Sequence, residues 1–429
     1  MDMGFVKPLM KFELKNLCHI NTNEDGDRFV GIKIDTENVS VNFPIGYELP
    51  ETDAEIRKDI RHLIQVLSEF KNNDEKLLTL NNFSIPQRVN FPINAFKNVI
   101  EYFFSIGGKY YVETDSTYKI AATGNQDWAK TIRNQTPFIQ AKNGVNSFIY
   151  PNFIVKTITP NDNNLITQIN RYCVYEAFSK LGWLYVPYII TNVGSYPDVK
   201  VSIEIIKSKL IEINDDKKKV LFQSMKDMLE FMDEKTTDKQ FYFGTDNFEL
   251  VWEKLIDRAF GEKNKDKYFP RTRWLLDKGR YKENRPLMPD TIMIYNGKYY
   301  ILDAKYYKYG CTGIPAHLPN ASSINKQITY GEYIEKHIGV SNNSLFNAFI
   351  IPYNMKNNYF KIDTIVGNIG EAVGDWRDNI KYYERIQGIV IDTRYLMFHY
   401  LGKISKEKVM LAECIEMVLM RESIPSPHM

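Results

Sequence analysis

Cysteine is scarce. The 429 residues hold four, Cys18, Cys173, Cys311 and Cys414, and no two form a CxxC pair. That spacing excludes the usual thiolate zinc cage and a disulfide framework, and it suits reduced thiols in a cytoplasmic setting. Long apolar runs are missing as well. No stretch of 18 apolar residues occurs, so no membrane span is expected. The opening MDMGFVKPLMKFELKN lacks an apolar run of signal-peptide length, and the cytoplasm is the expected location. There is no GxxxxGK[ST] loop to cradle a nucleotide triphosphate. Charge of one sign is also lacking: the formal net charge is only +2. A protein that coats nucleic acid passively is thereby disfavoured, whereas an enzyme with locally placed basic residues is not.

What is present suits a soluble globular protein of two or three domains, with 44% hydrophobic and 25% charged residues. Residues 29–43 read as a hairpin turning near Thr36-Glu37-Asn38. Residues 53–70 read as an amphipathic helix burying Ile56, Ile60, Leu63, Ile64 and Leu67, with Asp53 as its cap. Strand-like aromatic runs surround Gly107-Gly108 over 98–123. Further helices are expected over 164–182 and 220–233, the latter with a methionine stripe suited to packing. Asn214 to Lys219 and Asp233 to Lys239 read as polar loops. A single cut in the second loop gives an N-terminal α+β domain, 1–238, for DNA recognition or partner binding, and a C-terminal α/β domain, 239–429.

The chemistry concentrates in Pro289-Asp290-Thr-Ile-Met-Ile-Tyr-Asn296-Gly297-Lys-Tyr-Tyr-Ile-Leu-Asp303-Ala304-Lys305. Asn-Gly between two β-rich runs is a strong signal for a two-residue type I′ hairpin. Pairing Tyr295 with Lys298 then sets Asp290 directly opposite Asp303, and period-two alternation puts Lys305 on the same face. Opposed carboxylates repel, so a compensating cation is expected. Mg²⁺, with Mn²⁺ as a substitute, takes one or two carboxylates plus waters and phosphate oxygens. Such an ion lowers the pKa of a bound water and neutralises charge developing on a phosphate. Lys305 would stabilise the nucleophile or the phosphorane, or help take a proton if burial lowers its pKa. Upstream, Glu249, Glu253 and Asp257 form one stripe of a helix. Asp246 and Glu249 have capping-box spacing, which gives Glu249 a purely structural explanation.

The pattern P-D-x(12)-D-A-K, preceded by an acidic helix, resembles the PD-(D/E)xK nuclease signature. The resemblance implies a mixed central sheet flanked by helices, with Asp290, Asp303 and Glu253 toward the metal and Lys305 as the catalytic cation. Asn325-Lys326-Gln327-Ile-Thr-Tyr330 resembles the Gln-plus-Tyr helix motif of such nucleases and implies a role for Gln327. Asn347 to Ile351 and Gly388 to Asp392 supply further strands. A closer resemblance, to LlaJI-like restriction endonucleases and through them to McrC-type subunits, is carried by Asn42-Phe-Pro-Ile-Gly-Tyr47, Arg57-Lys-Asp-Ile60, Met288-Pro-Asp290 and Leu302-Asp-Ala-Lys-Tyr-Tyr307. It implies a type II-like, site-specific cut of double-stranded DNA, at least a transient dimer on DNA, and a cognate methyltransferase in the same system. It also implies a separate nucleotide-hydrolysing subunit as an alternative mode of action. A non-catalytic DNA-binding subunit is the other alternative, and the intact Asp, Asp and Lys argue against it.

Residues 263–285 carry nine Lys or Arg against three Asp or Glu, with Tyr268, Trp274 and Tyr281 interleaved. Next to the hairpin, Arg271, Arg273, Lys278 and Arg280 are the expected phosphate contacts. His62 and His337 read as ordinary helix residues, and His317 sits in a loop. The tyrosines at 299–300 and 306–309 read as sheet residues.

Overall fold

The computed structural model describes residues 7–8, 14–20, 28–34, 39–71, 89–142, 145–186, 188–189, 197–233, 241–402 and 405–420. It divides into two compact units, and the chain passes between them three times. Residues 12–90 pack with 239–429, while 1–11 pack with 91–238. The expected cut after residue 238 is one of these three passages; the other two escape a sequence-local boundary, which cannot register a segment that returns to a distant core.

The unit of residues 1–11 and 91–238 is built on helices Ile93–Ser105, Leu165–Leu181, Val199–Glu212 and Asp216–Asp233. Its core includes Phe96, Val99, Cys173, Phe178, Phe222, Met225 and Met228. The methionine stripe is thus packing. The strand reading of residues 98–123 is half corrected. Glu101 to Phe104 belong to the first of these helices, whose apolar residues recur at helical spacing, and only Glu113–Ala121 is strand. The polar run from Asn214 is also shorter as a loop than expected. A helix begins at Asp216, and the Asp215 side chain accepts the Lys218 N–H, a cap that the charge run concealed. Strand Glu113–Ala121, largely exposed, pairs antiparallel with Phe153–Asn161 along its whole length.

The other unit contains two five-stranded sheets. In the first, Val30–Ile34 pairs antiparallel with Val39–Phe43 and with Phe241–Thr245. The expected hairpin is present, and its turn lies outside the described residues, as does most of the polar stretch from Asp233 to Lys239. Helix Asp53–Lys71 buries Ile56, Ile60, Leu63, Ile64 and Leu67 as its periodicity requires. Its cap is Thr52, not Asp53: the Thr52 hydroxyl accepts the Glu55 N–H and donates to the Glu55 carboxylate.

The second sheet runs Thr291–Tyr295, Lys298–Ala304, Leu345–Tyr353, Ile386–Asp392, Val366–Ala372. Its outer pairs are antiparallel and its two inner pairs parallel. Strand Leu345–Tyr353 is buried along its whole length, as an apolar strand covered on both faces should be. Helix Ala321–Tyr333 lies in the connection between the parallel strands Lys298–Ala304 and Leu345–Tyr353. Its Ile328 and Tyr330 join Ile292, Ile301 and Phe349 in one core cluster. No helix among the described residues is long and apolar enough to cross a membrane.

A candidate active site on a hairpin

Asn296 and Gly297 both take positive φ, 48° and 72°, as a type I′ turn demands. The ladder runs from Tyr295↔Lys298 to Thr291↔Leu302. Asp290 is therefore the next residue opposite Asp303. Beyond the strand, the Lys305 N–H donates to the Ile350 carbonyl at 2.8 Å, so the lysine stays in sheet register.

The side chains converge. The Asp290 and Asp303 carboxyls share a hydrogen bond, and Asp290 Oδ2 also accepts the Ala304 N–H at 2.9 Å. Asp303 is buried, and its Oδ2 lies 2.6 Å from Lys305 Nζ. Burial, then the Asp303 and Glu253 charges, push the Asp290 carboxyl up to about 8. Glu253 is raised by burial and by Asp303, and partly offset by Lys305 and Lys326. One ammonium thus stands among three acids in a poorly solvated place.

Glu253 comes from helix Phe248–Phe260, keyed to the sheet by the Trp252 indole N–H donating to the Ile350 carbonyl at 3.2 Å. The expected capping box does not form, because the helix starts after Asn247, whose side chain makes no capping bond. The acidic stripe is sorted by tertiary contacts. Asp257 accepts Lys265 Nζ at 2.7 Å. Glu249 lines a cleft of about 350 Å³ with Arg28, Asp246, Tyr306, Lys308 and His317. Glu253 faces the hairpin acids.

Gln327 is engaged with the sheet backbone. It is buried, its Nε2 donates to the Ile301 carbonyl at 2.7 Å, and its Oε1 has no partner among the described residues. It clamps the strand that presents Asp303. Tyr330 donates to the Met288 carbonyl at 3.0 Å and so holds the approach to Asp290. Three supports escaped the sequence reading. Lys265 donates to the Asp290 carbonyl as well as to Asp257. Lys326 lowers the Glu253 carboxyl. The buried Tyr306 hydroxyl accepts the Ile45 N–H at 2.8 Å. No short pattern announces such links, since each joins segments far apart in the chain.

Arg271, Arg273, Lys278 and Arg280 are all exposed on a small ribbon, Arg273–Leu275 paired with Tyr281–Glu283. Trp274 and Tyr281 are exposed with them, but Tyr268 is a buried core residue with no access to a ligand. His317 hydrogen-bonds Thr312 Oγ1, and the His62 ring nitrogen meets the Met397 carbonyl. Tyr299 and Tyr300 are strand residues, whereas Tyr306 to Tyr309 lie past the strand end.

The acids and lysine can hold a hard cation and a phosphate together. Two paired carboxylates supply the oxygen donors that Mg²⁺ favours. Among the described residues no group of three or more His, Cys, Asp or Glu side chains is placed to hold a metal ion, so the Asp290–Asp303 pair is the donor set on offer here.

No curated protein matches the chain. Among solved structures it is similar to a chain of a Thermococcus gammatolerans assembly of McrB AAA+ hexamers with bound McrC. The identity is 13% and the TM-score 0.37, over 91% of this chain and 83% of that one. The family model for LlaJI restriction endonuclease matches residues 29–368, from the first sheet through the Asp290–Asp303 hairpin and beyond. The chain belongs to the LlaJI restriction endonuclease family, and is accordingly a DNA nuclease of a restriction system.

Proposed function

We propose that the chain hydrolyses phosphodiester bonds of double-stranded DNA at the Asp290–Asp303–Lys305 hairpin, on a PD-(D/E)xK core, with Mg²⁺ and without a covalent intermediate. One observation carries this reading: Asp290 and Asp303 meet across the type I′ hairpin with Lys305 bonded beside them. Asp290 and Asp303 would hold the ion, with Glu253 on it or on one of its waters. The bound ion supplies a water of lowered pKa and neutralises charge on the phosphate. Lys305 carries the remaining electrophilic work. Its ammonium is held by Asp303 and would stabilise the negative charge of the phosphorane. Tyr330, Gln327 and Lys265 position the loop and strand, so that little reorganisation is needed when the substrate arrives.

A type II-like, site-specific double-strand cut, with two copies acting on the two strands and a cognate methyltransferase protecting the host, is the finer form of the proposal. Residues Arg271, Arg273, Lys278 and Arg280 would track phosphates. The test is cleavage of unmethylated plasmid by the full chain with Mg²⁺, against EDTA and against Lys305→Ala. Discrete fragments that vanish in both controls are the expected result. No cleavage alone, but cleavage with a separate NTPase subunit and GTP, would make the chain the nuclease subunit of a two-part enzyme. Cleavage retained by Asp303→Ala would remove the site assignment.

A further inference from the structure

The segment between the acidic helix and the catalytic hairpin leaves the core altogether. It rises at Pro270 and returns at Leu287, where the Leu287 N–H donates to the Pro270 carbonyl at 2.8 Å. Leu287 packs on the core cluster, three residues before Asp290. Every residue from Arg271 to Arg285 is exposed. Exposed with them are large apolar side chains: Trp274 is 60% accessible, Leu275 77%, Leu276 45% and Tyr281 65%. Isolated two-stranded ribbons are marginal in water, and apolar groups left on both faces of one need a partner to justify them.

The two faces differ in charge. The ladder pairs Trp274 with Lys282 and Arg273 with Glu283. It continues on both sides, where the Leu276 N–H donates to the Arg280 carbonyl and the Asn284 N–H to the Thr272 carbonyl. Trp274, Leu276, Arg280 and Lys282 therefore share one face, which carries no acid. Leu275, Tyr281, Arg273 and Glu283 share the other. None of Arg273, Lys278, Arg280 and Lys282 enters an ion pair with a described residue, whereas other cations of this unit, Lys265, Lys298 and Arg394 among them, do.

We propose that this ribbon is a duplex-gripping arm. Its Trp274–Leu276–Arg280–Lys282 face enters a groove of the DNA beside the scissile phosphate, the cations on the backbone and the indole wedged against bases. A two-stranded ribbon fits the major groove, which is about 12 Å wide. Apolar wedges flanked by cations are the means by which proteins unstack and kink a duplex, and an aromatic ring accepts any base. The placement fits the chemistry, because an arm rooted three residues before a metal ligand fixes the backbone relative to Asp290. This inference rests on the nuclease reading and adds to it the groove, the face and the wedge.

The test measures binding of a labelled duplex to the full chain in a Lys305→Ala background with Mg²⁺ present, and cleavage in the Lys305 background. Three double variants are compared at matched thermal stability: Trp274→Ala with Leu276→Ala, Arg280→Gln with Lys282→Gln, and Leu275→Ala with Tyr281→Ala. The first should bind about tenfold more weakly and cut in proportion, losing any fluorescence of a 2-aminopurine reporter that wild type induces. The second should lower the slope of log affinity against log salt by about 2. The third should behave nearly as wild type. If the first two bind and cut like wild type, the arm does not touch DNA and the proposal falls while the nuclease reading stands. The same holds if they lose only self-association, which would assign the ribbon to a protein contact. Equal losses in the third variant would overturn the choice of face. A wild-type chain that neither binds nor cuts DNA, alone or with an NTPase subunit and GTP, would bring down the nuclease reading itself and the arm with it.

Discussion

Asp290 is the residue most at odds with its surroundings. In water an aspartate titrates near 3.9; here burial and the Asp303 charge push it up to about 8. A carboxyl raised on folding favours the unfolded chain as pH rises, since the unfolded state gives up its proton first. The metal-free protein should therefore lose stability between about pH 4 and pH 8, the interval between the two values. Asp290→Asn should remove that slope and raise stability at pH 8 by roughly 1–3 kcal/mol, as relief of a functional strain does, while abolishing cleavage. Urea titrations at several pH values, without metal, check the first claim, and plasmid cleavage the second. Lys265 acts on the same residue from behind, through the Asp290 carbonyl. Lys265→Met should raise the Mg²⁺ concentration needed for half-maximal cleavage several-fold, with Lys265→Arg recovering part of it. An unchanged Mg²⁺ dependence would reduce the contact to simple stabilisation. The hairpin acids and Lys305 were legible because a two-residue turn fixes cross-strand partners without reference to the rest of the fold. Lys265 was not, since its bond depends on where a loop lands.

At the scale of elements, residues 42–47 behave as a buckle. The Ile45 N–H donates to Tyr306, which follows Lys305 directly, and the Ile45 carbonyl accepts the Thr393 hydroxyl at 2.9 Å. Gly46 turns between them at φ +73°, with the Tyr353 backbone 2.9 Å from where a Cβ would lie. A Cβ there meets both strain and backbone, so Gly46→Ala should cost on the order of 2–4 kcal/mol, read as a lowered urea midpoint. Beside it the buried Asp59 accepts the Tyr47 hydroxyl at 2.9 Å and two bonds from Arg394 at 2.6 and 3.0 Å. Asp59→Ala removes the partner of a part-exposed cation and of a buried phenol and should cost about 2–3 kcal/mol, the scale of a lost hydrogen bond to a charged group. Asn42 to Tyr47 and the Arg57 helix were visible as a resemblance with no derivable chemistry. Their purpose is contact with Tyr306, Tyr353 and Arg394, which no local pattern encodes.

For the whole molecule, the unit that carries the hairpin acids is discontinuous. Strand Phe241–Thr245 pairs with Val30–Ile34, and Arg394 needs Asp59. A fragment of residues 239–429, the domain expected from the chain order, should therefore fail to unfold cooperatively in calorimetry and should be cut rapidly by protease. A fragment as stable as the full chain would show that the first sheet is dispensable.

Periodicity and turn chemistry by themselves determined helices Asp53–Lys71 and Leu165–Leu181, the hairpin register and the meeting of Asp290, Asp303 and Lys305, because these interactions act over a few residues along one backbone. Only the tertiary structure decided which acid of the stripe Glu249, Glu253 and Asp257 faces the hairpin acids, that Gln327 clamps a strand, and that residues 12–90 pack with residues 239–429. Each of those depends on side chains brought together from segments far apart in sequence, where packing and burial choose the partner.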